Sequence, residues 1–379
     1  MTGSNDNCCG QQQSGGNVDP EVRQRFDLLC TLGKQVAATS PDVDIKERPE
    51  YFNQQRFDRA QKTVLKHYTS LSMAGSVGLV LLLQFESILV PLLKTKQSKS
   101  VVRLWDRYAN TAKYMKACAE TKFYDDSSDG WRYLMIVRGM HQRVHKLMNE
   151  QFKHLLTETK DNELPIIWVN QYDMALTQFA FIGLLLLDPK RCAAYHISEQ
   201  QLLDITYYWR LLSHYLGIEE RFSIFAFDED WPKQRQLLQL ILDELYRKHL
   251  EENRNSELQK LAINMGQGFL LAFEELLTDV NYTVLDHWWS PMVSMSGLKQ
   301  PQPYSISDRV KLARFSIIFK LMLRSKLVAK QVNKIYRKKF DKFYADGEGI
   351  KKRLAKKYGH LNYEENAAQN EIQQVAIDN

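Results

Sequence analysis

RYANTAKYMKACAETKFYDDSSDGWRYLMIVRGMH, residues Arg107 to His141, followed by QRVHKLM, decides the fold. Its middle, TKFYDDSSDG, has the polar and glycine content of a turn and separates two helical patterns. On the first helix Arg107 and Thr111 stand four apart and share a face. On the second, Leu134, Val137, His141, Val144 and Met148 recur at helical spacing, so His141 falls on an apolar stripe. An imidazole directed into a hydrophobic interior requires a proton partner or a metal.

The same style of pattern continues outward. Asp19-Pro20 reads as an N-cap with proline at the first helical position, opening PEVRQRFDLLCTLGKQVA. A helix is expected near EYFNQQRFDRAQKTVLKHY, then an apolar helix from about Met73 to Leu93, ended by TKQSKS. The Arg107 helix runs from about Ser100 to Glu120, and the segment Asn162 to Pro165 is a break. Asn170 or Asp173 begins a helix ending at Leu187, and Ser198 with Gln201 forms a capping box for one ending before Gly217. WPKQRQLLQLILDELYRKHLEEN and SELQKLAINMGQGFLLAFEELLT are amphipathic, WWSPMVSMSGLKQPQPYS reads as a loop, and SDRVKLARFSIIFKLMLRSKLVAKQVNKIYRKKF reads as one long helix or a pair. Strand alternation and fixed-period repeats are lacking. The fold class expected is all-α, a single large multi-helix domain over 19–360, with polar, disordered tails at 1–18 and 361–379.

A hydrophobic fraction of 44% supplies an ample core, and a net charge of +6 is too small to argue for nucleic acid. Much of the excess lies between Lys330 and Gly359, where Tyr336, Phe340, Phe343 and Tyr344 interleave with Lys and Arg. That stretch reads either as a solvated helix face or as a contact to anionic lipid headgroups. The five cysteines, Cys8, Cys9, Cys30, Cys118 and Cys192, form no metal or disulfide spacing, which fits a reducing compartment. The start is polar and lacks an apolar signal core. The apolar run from Ser70 to Leu93 is interrupted by Gln84 and Glu86; its clean part is short of the ~20 residues that span a bilayer, so it reads as a buried core helix.

The Arg107–His141 stretch, LPIIWVNQYDMALTQFAFIGLLLL and YYWRLLSHYLGI, taken in this order, resemble the heme-dependent rubber oxygenases (latex clearing proteins) and the ER-bound oxygenases of the mpaB type, over roughly residues 50 to 220. The resemblance implies a b-type heme with His141 as axial iron ligand, supported by an Arg107-x3-Thr111 helix. Where the rubber enzymes carry a lysine before the threonine this chain has Asn110, and where they carry a basic residue four positions after the ligand it has His145. These departures point away from rubber itself as the substrate.

Each candidate also has a plainer reading. His141 reads as a satisfied core histidine on pattern alone, and His141 with His145 invites zinc, although Gln142 stands where a zincin needs its glutamate. Arg107 suits a heme propionate, or an ordinary ion pair to Asp106 or Asp173. Thr111 or Arg107 is positioned to orient the second nitrogen of His141. Glu86, a carboxylate inside the most apolar helix, is either paired with Arg107 or a lysine, or the catalytic acid/base. Asn170, Gln171 and Asp173 read as a cap and polar packing, and Tyr207, Tyr208, Trp209, Arg210 and His214 as fold-holding residues. His287, Trp288 and Trp289 read as a channel lining or a core patch. The expected function is a heme b (iron) oxygenase that oxidises or cleaves an apolar, isoprenoid-like small molecule with O2, in the cytoplasm and at the cytosolic face of the ER membrane. The alternative is a non-catalytic helical heme- or lipid-binding protein.

Overall fold

The computed structural model describes residues 18–156, 166–277, 280–296, 305–361 and 363. Fourteen helices account for the regular structure of these residues, and no strand occurs among them, as the sequence periodicity requires. They are α1 (Pro20–Cys30), α2 (Gln54–Lys66), α3 (Tyr68–Leu82), α4 (Glu86–Lys94), α5 (Val101–Glu120), α6 (Asp129–Gln151) and α7 (Gln171–Leu187). Then follow α8 (Glu199–Leu216), α9 (231–252), α10 (Glu257–Ala272), α11 (Tyr282–Trp289), α12 (Ile306–Lys320), α13 (Lys326–Ala345) and α14 (Gly347–Tyr358). The tails expected at 1–18 and 361–379 fall almost wholly outside the described residues, as does the break at 162–165.

The centre of the core is α3, whose Val77, Val80 and Leu81 are fully buried. It lies against a π-helical turn at Phe179–Gly183, where α7 widens by one residue. Gly78 permits the approach: a Cβ there would sit 1.8 Å from the Ala180 carbonyl oxygen. Around this pair, α2 packs on α8 through Phe57 and Tyr208, with Arg59 forked onto the buried Asp204 at 2.8–3.0 Å. α10 crosses α5, where Tyr108 and Phe269 meet edge to face at 5.1 Å. α13 closes over α3, with the Asn333 side chain accepting from Thr69 and donating to the Leu65 carbonyl.

Several expectations need correction. The apolar run is not one helix from Met73 to Leu93: α3 ends at Leu82, and α4 starts at Glu86 after a bend of 87°. The corner is pinned by polar contacts. Gln84 is buried between the Met295 carbonyl and Gln259, and His249 bonds the Gln84 carbonyl at 2.9 Å while stacking on Phe85. The first helix stops at Cys30 instead of continuing to Ala37, followed by a 3-10 turn. Trp288 and Trp289 end a helix and do not open a loop. The basic stretch 330–359 is two helices whose aromatic residues face inward, with Phe340 on Tyr68 and Phe343 on Trp105. No single helix among the described residues is long and apolar enough to cross a membrane.

Candidate active site

The site is organised by the α5–α6 hairpin. Ser100 caps α5 and Ser128 caps α6, each through its hydroxyl and the backbone N–H three residues on. The loop between them is stitched by the Thr121 hydroxyl, which accepts from Gly130 N–H at 3.1 Å, and a Cβ at Gly130 would strike that same oxygen at 2.5 Å. With the loop fixed, height along the hairpin follows from chain length. Arg107 and His141 both lie about 20 Å from the loop at 1.5 Å per residue, and are therefore level. Thr111 is one turn nearer the loop.

The facing stripes of both helices are sealed at their ends and partly open in the middle. Leu104 and Cys118 on α5, and Leu134 and Met148 on α6, are buried. Between them Arg107, Thr111, Ala112 and Met115 face Val137, His141 and Val144, all of which keep some accessible surface. Arg107 and His141 are at the same time enveloped by protein atoms. Arg107 and His141 are thus densely surrounded while part of each side chain stays accessible. A broad surface depression of about 710 Å³ at the start of α6, lined by Asp126, Trp131, Arg132, Ile136 and Arg143 among others, is separate and includes neither residue.

The electrostatics of this pair are unusual. Burial, assisted by the Arg107 charge, pushes the His141 imidazole down to about 4, so the ring is neutral at physiological pH with a lone pair to offer. Its Nδ1 is sealed and has no hydrogen-bond partner among the described residues, which leaves Nε2 as the accessible nitrogen. The Arg107 guanidinium, pulled below its ordinary value by burial, has no carboxylate partner among the described residues. The ion pairs expected for it are not formed. Asp106 is taken by Lys351 at 3.0 Å, and Asp173 caps α7 through the Asn170 N–H. A buried, uncompensated cation costs several kcal/mol and calls for an anion.

Thr111 does not orient His141. Its hydroxyl donates to the Arg107 carbonyl at 3.2 Å, the usual back-bond of a mid-helix threonine. His145 is not a rim residue or a metal ligand: its Nδ1 lies 2.8 Å from the Trp168 carbonyl, which with Asn149 ties α6 to the strand-like lead into α7. No cluster of three or more His, Cys, Asp or Glu able to hold a metal occurs among the described residues. Glu86 is the first residue of α4 and not mid-helix; burial raises its pKa, and neither Arg107 nor a lysine pairs with it.

Asn170 and Asp173 form a capping box, and Gln171 clamps the Ala37 and Gly217 carbonyls and the Glu219 N–H. Two further buried groups have unmet polar atoms. Burial lifts Asp173 to about 6, with the Ser87 hydroxyl and the Asn170 and Val169 backbone opposing, although Ser87 closes no hydrogen bond of good geometry on its free oxygen. The Tyr108 hydroxyl, beside Arg107, is sealed without a partner. Trp288 packs on Phe315, Phe319 and Arg191, and Trp289 is fully buried, so this pair is core and not channel.

The hairpin sets a neutral histidine and an arginine without a carboxylate partner among the described residues at one level of the helix pair. The family model for the ER-bound oxygenase mpaB/B'/rubber oxygenase catalytic domain matches residues 66–303, and the chain belongs to this family. Arg107, Thr111 and His141 fall inside the match, which begins at residue 66, later than the residue 50 at which the sequence resemblance starts, and runs on past residue 220 to 303. The comparisons with curated proteins and with solved structures returned no match.

Proposed function

We propose that this protein is a b-type heme-dependent oxygenase that oxidises or cleaves an apolar, isoprenoid-like substrate with O2, with His141 as the axial ligand. The observation that carries the reading is the pair of unmet demands at one level of the α5–α6 hairpin. His141 is neutral with an accessible nitrogen, and Arg107 is a surrounded cation without an anion among the described residues. Heme answers both, because it brings an iron for one and propionates for the other; Arg is suited to the second by its planar fork.

When bound, heme supplies the dioxygen chemistry. The chain's own residues do the remainder. His141 would offer Nε2 from a rigid helix, Arg107 would hold a carboxylate, and Val137, Val144, Ala112 and Met115 would supply apolar side chains beside them. Glu86 is the candidate acid/base, since burial inclines its carboxyl to hold a proton. An apolar substrate dissolves in membranes, which favours a cytoplasmic protein working at the cytosolic face of the ER membrane.

One observation favours the second reading, a heme- or lipid-binding protein without turnover. Neither Arg107 nor His141 figures among the influences on the Glu86 carboxyl, which responds to burial alone. The two readings separate by experiment. Full-length protein reconstituted with hemin is expected to show a Soret band that His141→Ala loses while keeping its helical circular dichroism. An unchanged heme spectrum in that variant removes His141 from the site. Oxygen uptake with an isoprenoid, lowered in Glu86→Gln, supports turnover; a heme-loaded protein that consumes no oxygen supports binding alone.

A further inference from the structure

We propose that the corner formed by α12, α13 and the turn between them is a docking surface for an anionic lipid bilayer. α12 carries two apolar faces. Phe315 and Phe319 stack on each other and meet Trp288 edge to face, anchoring one side to the body. On the other side Val310, Ile317 and Leu321 recur at helical spacing and are exposed, and Met322, Leu327 and Ile335 extend the exposed row around the turn into α13. Leu321 and Leu327 retain 64% and 77% of their surface, so the row is a committed apolar face rather than a frayed core edge. The turn is held in place, with Leu323 buried beneath it and His196 bonding the Arg324 carbonyl.

The cations divide into two sets. On α13 and α14, Arg337, Arg353 and Lys357 are engaged by Glu120, Glu275 and Glu274 of the body. Lys326, Lys330, Lys334 and Lys338 are different. They stand four apart along α13, all exposed, with no ion pair among the described residues. Like charges at that spacing destabilise a helix, so the row gains from an external anion. Leu327 stands three residues before Lys330, and Ile335 three before Lys338, a spacing that sets apolar groups beside ammonium groups along one side of the helix.

A bilayer satisfies both at once, with apolar side chains at the acyl boundary and lysines at the phosphates. Nucleic acid has no use for the leucines, and a second copy of the chain would oppose lysine to lysine. The basic contact inferred from sequence at 330–359 therefore moves to the corner 306–338, because much of the later charge is spent inside the molecule. The inference stands independently of the His141 site.

Flotation of the full chain with phosphatidylcholine vesicles, with and without phosphatidylserine, tests it at low and high salt. Wild type is expected to bind the anionic vesicles, more weakly as salt rises. Replacing Lys326, Lys330 and Lys334 by Gln is expected to weaken binding about fivefold per lysine, roughly a hundredfold together. Leu321→Ser with Leu327→Ser is expected to abolish the part of the binding that survives high salt. All five positions are exposed, and circular dichroism checks the fold. The proposal is overturned if wild type ignores anionic vesicles, if the lysine variant binds as wild type does, or if duplex DNA displaces the vesicles. It is also overturned if sedimentation shows a dimer that the leucine variant dissociates.

Discussion

At the scale of single residues, the decisive feature is Arg107. Its worth depends on what it lacks, since a surrounded guanidinium without a carboxylate is costly until an anion arrives. Arg107→Ala is expected to weaken heme retention at least tenfold, measured by transfer of heme to apomyoglobin, because it removes a charge-assisted contact worth about 1.5–3 kcal/mol. Arg107→Lys is expected to restore little of this, since an ammonium cannot form the two parallel bonds of the fork. Thr111→Ala is expected to leave retention near wild type, as its hydroxyl is spent on its own helix. Equal heme loss from the Thr111 and Arg107 variants would contradict this division of roles.

At the scale of elements, the contact between α3 and the π turn of α7 sets the geometry of the core. Gly78 has a helical neighbour's carbonyl where a side chain would go. Gly78→Ala is expected to destabilise the protein by about 1–3 kcal/mol or more, since overpacking there must shift backbone and not a flexible side chain. Urea unfolding measures it, and a midpoint at or above wild type would refute the argument. The sequence shows the helices on both sides of this contact plainly. It does not show the π turn, because FAFIGLLLL is uniformly apolar and carries no period to lose. The corner between α3 and α4 falls at the Gln84 and Glu86 interruption, but its bend is made by contacts of Gln84 and Phe85 with His249, Gln259 and Met295 from distant parts of the chain.

At the scale of the whole molecule, buried histidines make stability depend on pH. His67, between α2 and α3, is held down to about 4 by burial, with Lys66 adding and Gln201 opposing. Against an unfolded value near 6.5, the unfolded chain binds the proton first, so stability is intact above pH 6.5 and falls as pH drops toward 4. Asp173 works in the opposite sense, its raised value favouring the folded state as pH falls below about 6. His67→Gln removes the first effect alone. Relative to its own stability at pH 7.5, wild type is expected to lose about 2 kcal/mol more than the variant by pH 5, at 1.36 kcal/mol per pKa unit. Parallel pH profiles from urea unfolding would show that His67 is not the titrating group.

By itself the sequence determined the all-α class, the α5–α6 hairpin and most helix boundaries of α5 to α9, because caps, prolines and helical spacing act over a few residues. It also put Arg107 and His141 level, since equal chain lengths from one loop make equal heights. Partnership was decided only by the tertiary structure. Lys351 claims Asp106, the α7 cap claims Asp173, and the body's glutamates claim the late arginines and Lys357, leaving Arg107 and the lysine row without anions among the described residues. Which charges meet depends on groups hundreds of residues apart, and local patterning holds no record of that distance.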